Sequence, residues 1–361
     1  MSNAIVGLEP NLSQGSTTNA PKSSRLLSLD AMRGIAALLV LMYHMRLPGI
    51  LAVHSGYLAV DFFFLLSGYV IARTYENKLL GELELMSFTK LRLIRLYPLM
   101  IVGLMLGAIN MGLQLGTGLT GTVSFRTFLV SLFLGLLFLP SFITREISPL
   151  NGPGWSLILE MAINLIYAKL LVRLQSKVLG TFALFCAAVV VVETARRGNL
   201  DFGFAWPHVH VGVARVTMSF IVGVLIWRKA ALIPRHGHHA LWAVLILAMC
   251  MKLQPTDSLR PAYDVVFVLF ASPALLWAGL KFEPPIGASK IAAWLGLISY
   301  PIYIIHVPLL LLTRKIAIAH SISAEFWMPV FFATVVLLAW LLAKFFDEPI
   351  RKWLTAKAKT A

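Results

Sequence analysis

Acidic residues and cysteines are both scarce in this chain. Its 361 residues include 16 Asp and Glu against 31 Lys and Arg, and charged residues of either sign make up 13%. That is about half the share of an ordinary soluble domain. With 58% hydrophobic residues and a mean hydropathy of +0.81, the deficit excludes a water-soluble globule. The 2 cysteines, Cys186 and Cys250, both lie in apolar runs with no metal-ligand neighbour at useful spacing. A disulfide framework, a zinc site and a haem motif are thereby excluded, and the thiols read as small hydrophobes. No n-region with a small-residue cleavage pattern precedes the first apolar run, so no cleavable signal peptide is expected. Nor is there a convincing internal repeat, whose inverted halves would have suggested a secondary transporter.

What is present is a series of long apolar segments. They fall near 26–46, 56–76, 97–115, 124–140, 154–173, 178–195, 209–227, 239–253, 263–280, 290–313 and 326–346. Basic residues collect between them: Lys90, Arg92 and Arg95; Lys169, Arg173 and Lys177; Arg228, Lys229 and Arg235; Lys281 and Lys290; Arg351, Lys352, Lys357 and Lys359. On a soluble protein a net charge of +15 would suggest nucleic acid. Here the positive-inside rule accounts for it, so no nucleic-acid partner is expected, and these loops are assigned to the cytoplasm. Eleven full crossings cannot put both basic ends on that side. The segment 124–140 is barely long enough to span and is taken as the one that does not cross. The expected fold is an all-α polytopic membrane protein, a bundle of about ten transmembrane helices plus that non-spanning segment. Residues 1–24, rich in Ser, Asn, Thr, Gly and Pro, are expected as a disordered cytoplasmic tail, 25–350 as the transmembrane domain and 351–361 as a basic cytoplasmic tail.

Several polar residues sit where lipid would penalise them. Arg33 and His44 lie within one apolar run, with ten residues between them. Eleven steps of about 100° make three turns plus about 20°, so the two share a helix face about 16 Å apart along the axis. Ionisable groups in such places are by default functional. A polar track running most of the way across the membrane is the expectation, with Arg33 near the cytoplasm and His44 toward the exterior. Asp61 stands beside a Phe run and needs a partner, an Arg or His of the first span being nearest in sequence; otherwise it caps its helix. Ser67-Gly68 suits close helix packing. Arg92 and Arg95, at i and i+3, with Lys90 nearby, fit either juxtamembrane anchoring or a phosphate clamp. Glu160 and Asn164 share a face of an apolar span. A buried carboxylate there must pair, with Arg33 or Arg215, or take up a proton. Arg215 reads as a snorkelling cation or a functional one. Tyr303 and His306 form another i, i+3 pair in a late span, whereas His208, His210, His236, His238 and His239 sit in loops or at span ends and are assigned no chemistry.

Taken in order, these elements resemble the acyltransferase family 3 membrane proteins. The matching residues are Leu29-Asp30-Ala-Met-Arg33-Gly with His44, Phe63-Phe64-Leu-Leu-Ser67-Gly68-Tyr69, Arg92-Leu-Ile-Arg95, Trp155-Ser156-Leu with Glu160, and Ser299-Tyr300 with Tyr303 and His306. The resemblance covers about residues 26–350. It implies transfer of an acyl group, expected to be acetyl, from cytoplasmic acyl-coenzyme A to a sugar hydroxyl of an exopolysaccharide or other cell-surface glycan, at the inner (plasma) membrane and without a metal. After the last span only a short basic tail remains, so the chain is similar to the stand-alone members without a hydrolase-like domain. The resemblance implies His44, Arg33, Glu160 and Asp61 as catalytic residues. His44 would be a base or the carrier of an acyl-imidazole, and Glu160 or Asp61 would orient it. Arg92, Arg95, Lys90 and Arg33 would hold the donor, and Trp155, Tyr303, His306 and Arg215 the acceptor. Two alternatives stay open: a proton-coupled transporter or flippase, which a polar track fits equally well, and a non-sugar acceptor.

Overall fold

A computed structural model of the protein describes residues 26–117, 124–229, 239–284 and 286–360. The tail expected at 1–24, together with Arg235, His236 and His238, lies outside the described residues. The helices are α1 (Leu27–Met45), α2 (Ala59–Leu80), α3 (Leu85–Thr117), α4 (Phe125–Leu136), α5 (Gly154–Lys169), α6 (Ser176–Arg197), α7 (Val209–Lys229), α8 (Ala240–Lys252), α9 (Arg260–Val266), α10 (Ser272–Lys281), α11 (Ser289–Ala319), α12 (Ala324–Leu341) and α13 (Glu348–Thr360). Among the described residues the only extended pairing is one isolated bridge, Glu146 with Ala205, which ties the loop before α5 to the loop before α7.

Every apolar segment of the sequence is helical. Eight stretches are long and apolar enough to cross a membrane: Leu27–Met45, Gly49–Leu80, Leu85–Leu115, Ser176–Arg197, Trp206–Lys229, Arg260–Lys281, Ser289–Ala319 and Ala324–Ala358. Apolar side chains also cover the outside of the bundle, as with Leu184 (73% exposed) and Phe185 (69%) on α6. Such a surface belongs in lipid. The chain is an all-α, multi-pass membrane protein. At 12 residues α4 is about 18 Å long, well short of a hydrocarbon core of about 30 Å. Ten crossings would need α5 and α8, with 16 and 13 residues, besides the eight long stretches. The basic residues expected as a tail from 351 on follow the last span through a π-helical turn, Leu342–Asp347, within α13.

Two helix pairs set the frame, α1 along α11 and α2 along α7, and both rely on glycine for close approach. A Cβ on Gly68 would collide with the backbone of Phe220, and one on Gly223 with the carbonyl of Leu65. On the other pair, a Cβ on Gly34 would meet Leu295 and one on Gly296 would meet Asp30. Gly68→Ala is expected to cost about 1–3 kcal/mol by overpacking. Gly112→Ala, whose new carbon meets nothing within 4 Å, should cost nothing. Thermal unfolding in detergent checks the pair; equal melting temperatures would contradict the close-contact account. Proline is accommodated as well. Pro308 lies inside α11 and cannot donate to the carbonyl of Ile304, which instead accepts from Asn151 Nδ2 at 2.9 Å. The loop preceding α5 is thereby pinned to α11.

Candidate active site

Two cavities meet inside the bundle. The smaller, about 170 Å³, is walled by Arg33, Ser67, Arg92, Arg95, Glu160 and Tyr300, with Phe63 and other apolar residues between them. The larger, about 830 Å³, is walled by Tyr43, His44, His54, Trp155 and Asp201 among others. Val60 and Tyr303 are the two residues common to both walls. The single track expected through Arg33 and His44 is therefore divided. The two residues do share the inner face of α1, but each opens into its own chamber.

The smaller cavity brings together Arg33, Arg92 and Arg95. Arg33 Nε donates to Ser299 Oγ, and its Nη2 to Asp30 Oδ1 and to the carbonyl of Gly296, all at 2.9 Å, while about a third of the side chain (32%) stays exposed. Arg92 is buried. Its Nη2 stands 3.5 Å from Glu160 Oε1, and its Nε is buried without a hydrogen-bond partner. Glu160 also accepts a 2.6 Å bond from Ser67 Oγ. Arg95 is more open (39%) and lies 3.9 Å from Asp347, which is held at 3.0 Å by Arg351. Lys90 does not join them. Two residues before Arg92 it is about 200° round the helix, and it is exposed and lines neither cavity. Of the four basic residues expected to hold the donor, the structure brings Arg33, Arg92 and Arg95 to one cavity and leaves Lys90 outside it.

At the larger cavity two imidazoles are in contact. His306 Nδ1 is 3.0 Å from the carbonyl of Ile302 and 2.9 Å from that of Tyr303. Carbonyls only accept, so Nδ1 carries the proton and Nε2 of the neutral ring is an acceptor. That Nε2 lies 3.2 Å from His44 Nδ1, which is also 2.9 Å from the carbonyl of Val40. His44 Nδ1 therefore donates, and its Nε2 is the ring nitrogen left with a lone pair. His44 is exposed to the cavity, whereas His306 is fully buried and lines neither chamber. His306, expected at the acceptor, therefore contacts the His44 ring, while Asp61 and Glu160, expected to orient that ring, bond to Arg215 and Ser67.

Asp61 has another task. Both of its oxygens are taken by Arg215, Nε to Oδ1 at 3.0 Å and Nη2 to Oδ2 at 2.6 Å, with both side chains buried. Arg215 Nη1 further donates to the carbonyl of Phe202 at 2.6 Å, and its guanidinium lies 5.6 Å from the Trp155 ring centre. The partner expected from the first span is thus a cation from α7, and the pair welds α2 to α7. Asn164, i+4 from Glu160, is fully buried away from both cavities. Of the residues expected at the acceptor, Tyr303, Trp155 and Arg215 line the larger chamber.

Sequence reasoning missed Asp30 and Ser299 as the residues that hold Arg33. Asp30 was findable, since i, i+3 spacing puts it on the Arg33 face. It also missed Asp201, which accepts from Tyr43 Oη at 2.9 Å, and Tyr57, whose Oη donates to Asp264 at 2.6 Å. Among the described residues no group of three His, Cys, Asp or Glu is placed to hold a metal.

Known proteins share this chain's sequence over much of its length. A family model described as an acyltransferase domain matches residues 26–344. The protein called Protein 2 in picA locus, from Rhizobium radiobacter, is 35% identical over 182 residues, 47% of this chain and 95% of its own length. YrhL of Bacillus subtilis (strain 168), provisionally designated a peptidoglycan O-acetyltransferase, is 27% identical over 364 residues, 90% of this chain and 54% of its own. The peptidoglycan O-acetyltransferase OatA of Listeria monocytogenes is 25% identical over 375 residues, 90% of this chain and 56% of its own. The chain thus spans about half the length of these last two relatives. No solved structure matches it.

Proposed function

The chain belongs to the acyltransferase family, and from that premise we propose that it moves an acyl group, acetyl in the first instance, from acyl-coenzyme A in the cytoplasm to a sugar hydroxyl on the outer side of the inner membrane. The acceptor in this reading is a unit of a cell-surface glycan, with exopolysaccharide and peptidoglycan both in scope. The observation that carries it is the placing of the motif side chains: Arg33, Arg92 and Arg95 line one cavity, and His44, an imidazole with a lone-pair nitrogen, lines the other together with Arg46, Arg215 and Arg314.

The donor side is the smaller cavity. Arg92 and Arg95 suit the phosphates of coenzyme A, because guanidinium forks match phosphate oxygens and the buried Arg92 Nε has a donor to spare. Arg33, braced by Asp30 and Ser299 and about 16 Å from His44 along α1, steers the pantetheine arm toward the larger cavity. On the acceptor side His44 Nε2 takes the hydroxyl proton as the oxygen attacks the carbonyl. The acyl–sulfur bond breaks, the acyl–oxygen bond forms, and the proton passes to the departing thiolate. His306 keeps the His44 proton on Nδ1 throughout. With both basic ends in the cytoplasm, the α13 side of the bundle faces the donor.

Detergent-solubilised protein incubated with acetyl-coenzyme A and soluble peptidoglycan fragments or exopolysaccharide oligomers should release free coenzyme A in step with acetylation of the acceptor. No thiol release with either probe, together with movement of the glycan across proteoliposomes, would favour a flippase instead. Arg92→Ala and Arg95→Ala should each weaken acetyl-coenzyme A binding by about tenfold or more, the worth of a charged hydrogen bond. Unchanged affinity in both would reject the clamp.

A further inference from the structure

We propose that Val60 and Tyr303 form a septum across which the acyl group is handed from one cavity to the other, and that this septum makes the enzyme choose a sugar hydroxyl over water. The inference rests on the two-chamber reading above. Its basis is that these two residues alone belong to both walls, and that both are buried.

Each half of the septum is anchored. Val60 immediately precedes Asp61, which Arg215 fixes to α7 through two hydrogen bonds. Tyr303 is tied at its far end. Ser156 Oγ donates to the carbonyl of Pro153 at 2.9 Å, so the Tyr303 hydroxyl, 2.7 Å from Ser156 Oγ, donates to it. The Tyr303 ring meets Phe63 edge-on at 5.5 Å, and its own carbonyl faces His306 Nδ1 at 2.9 Å. The partition is thus braced by the buried ion pair on one side and by the histidine pair on the other.

The chemistry requires such a partition. Attack by a sugar hydroxyl gives an acyl ester and free thiol. Attack by water on the same carbonyl gives a carboxylic acid and the same thiol, with His44 serving either nucleophile. The larger cavity, about 830 Å³, has room for many waters at about 30 Å³ each. The smaller is walled in part by Phe63, Phe64, Leu66 and Leu157. The barrier keeps the thioester away from water that His44 could activate until an acceptor fills the larger chamber.

Val60→Ala opens the barrier. With acetyl-coenzyme A alone, acceptor-independent release of coenzyme A, with matching acetate, should rise about tenfold or more over the unsubstituted protein. The double variant His44→Ala/Val60→Ala should lose that rise, since the admitted water needs the base. Val60→Phe closes the barrier further, so acetyl-coenzyme A binding should persist while acetylation of peptidoglycan fragments or exopolysaccharide oligomers falls. The septum is overturned if Val60→Ala binds the donor and transfers normally yet releases no extra thiol, or if the extra release survives loss of His44. Failure of the unsubstituted protein to bind acetyl-coenzyme A would instead overturn the two-chamber reading beneath it.

Discussion

His44→Ala should abolish acyl transfer while leaving the protein folded and able to bind acetyl-coenzyme A. A positioned general base is worth about 10²–10⁴-fold, and transfer should fall by that order. The expectation is sharp because His44 lines the larger cavity and not the smaller one. Truncating it therefore removes proton transfer and leaves the arginine cluster untouched. Removing His306 should cost less. The His44 imidazole would remain, but without the acceptor 3.2 Å away that helps to hold its proton on Nδ1. Initial rates of acceptor acetylation, measured beside donor affinity, separate the two effects. Full turnover by His44→Ala would remove the imidazole from the mechanism.

Asp61→Ala should have the largest effect on stability. It strands Arg215, a guanidinium 1% exposed, with its main counter-ion gone. Breaking a buried pair by removing one partner costs about 3–5 kcal/mol, a large fraction of the roughly 5–15 kcal/mol that holds a domain together. The variant should fail to yield a monodisperse species in detergent, or should melt far below the unsubstituted protein. The double variant Asp61→Leu/Arg215→Met removes both charges and should recover much of the loss, because a buried pair replaced by apolar groups is often near neutral. If Asp61→Ala instead kept its melting temperature and lost only activity, the carboxylate would have the catalytic role its motif suggested and not a structural one.

Most of the fold was legible, and the reason is physical. Lipid demands long apolar helices, so each run of the sequence became a helix, down to the short α4 at Phe125–Leu136. The pairing of charges was less legible. Asp61 finds its partner 154 residues away in Arg215, and Glu160 meets Ser67 across 93 residues. Such partnerships depend on which helices pack together, and here small residues at Gly68 and Gly223 bring α2 onto α7. Helical spacing did place Arg33 and His44 on one face, and Arg92 with Arg95. It could not show that the first two line separate cavities, with Val60 and Tyr303 common to both walls. Lys90 was misjudged by sequence proximity, where the helical angle already turns it away. Asp201, His54 and Tyr57 were out of reach, since they come from loops or loop-adjacent turns that carry no periodic signal.

The central claim is that donor and acceptor reach one reaction centre from opposite faces of the membrane. A sidedness assay in oriented proteoliposomes tests it most directly. Acetyl-coenzyme A is supplied on the face that carries α13, and a membrane-impermeant exopolysaccharide oligomer on the other. Acetylated oligomer should form in that arrangement, and not when donor and acceptor share a face. Equal product with both substrates on one side would contradict transfer between two opposed chambers.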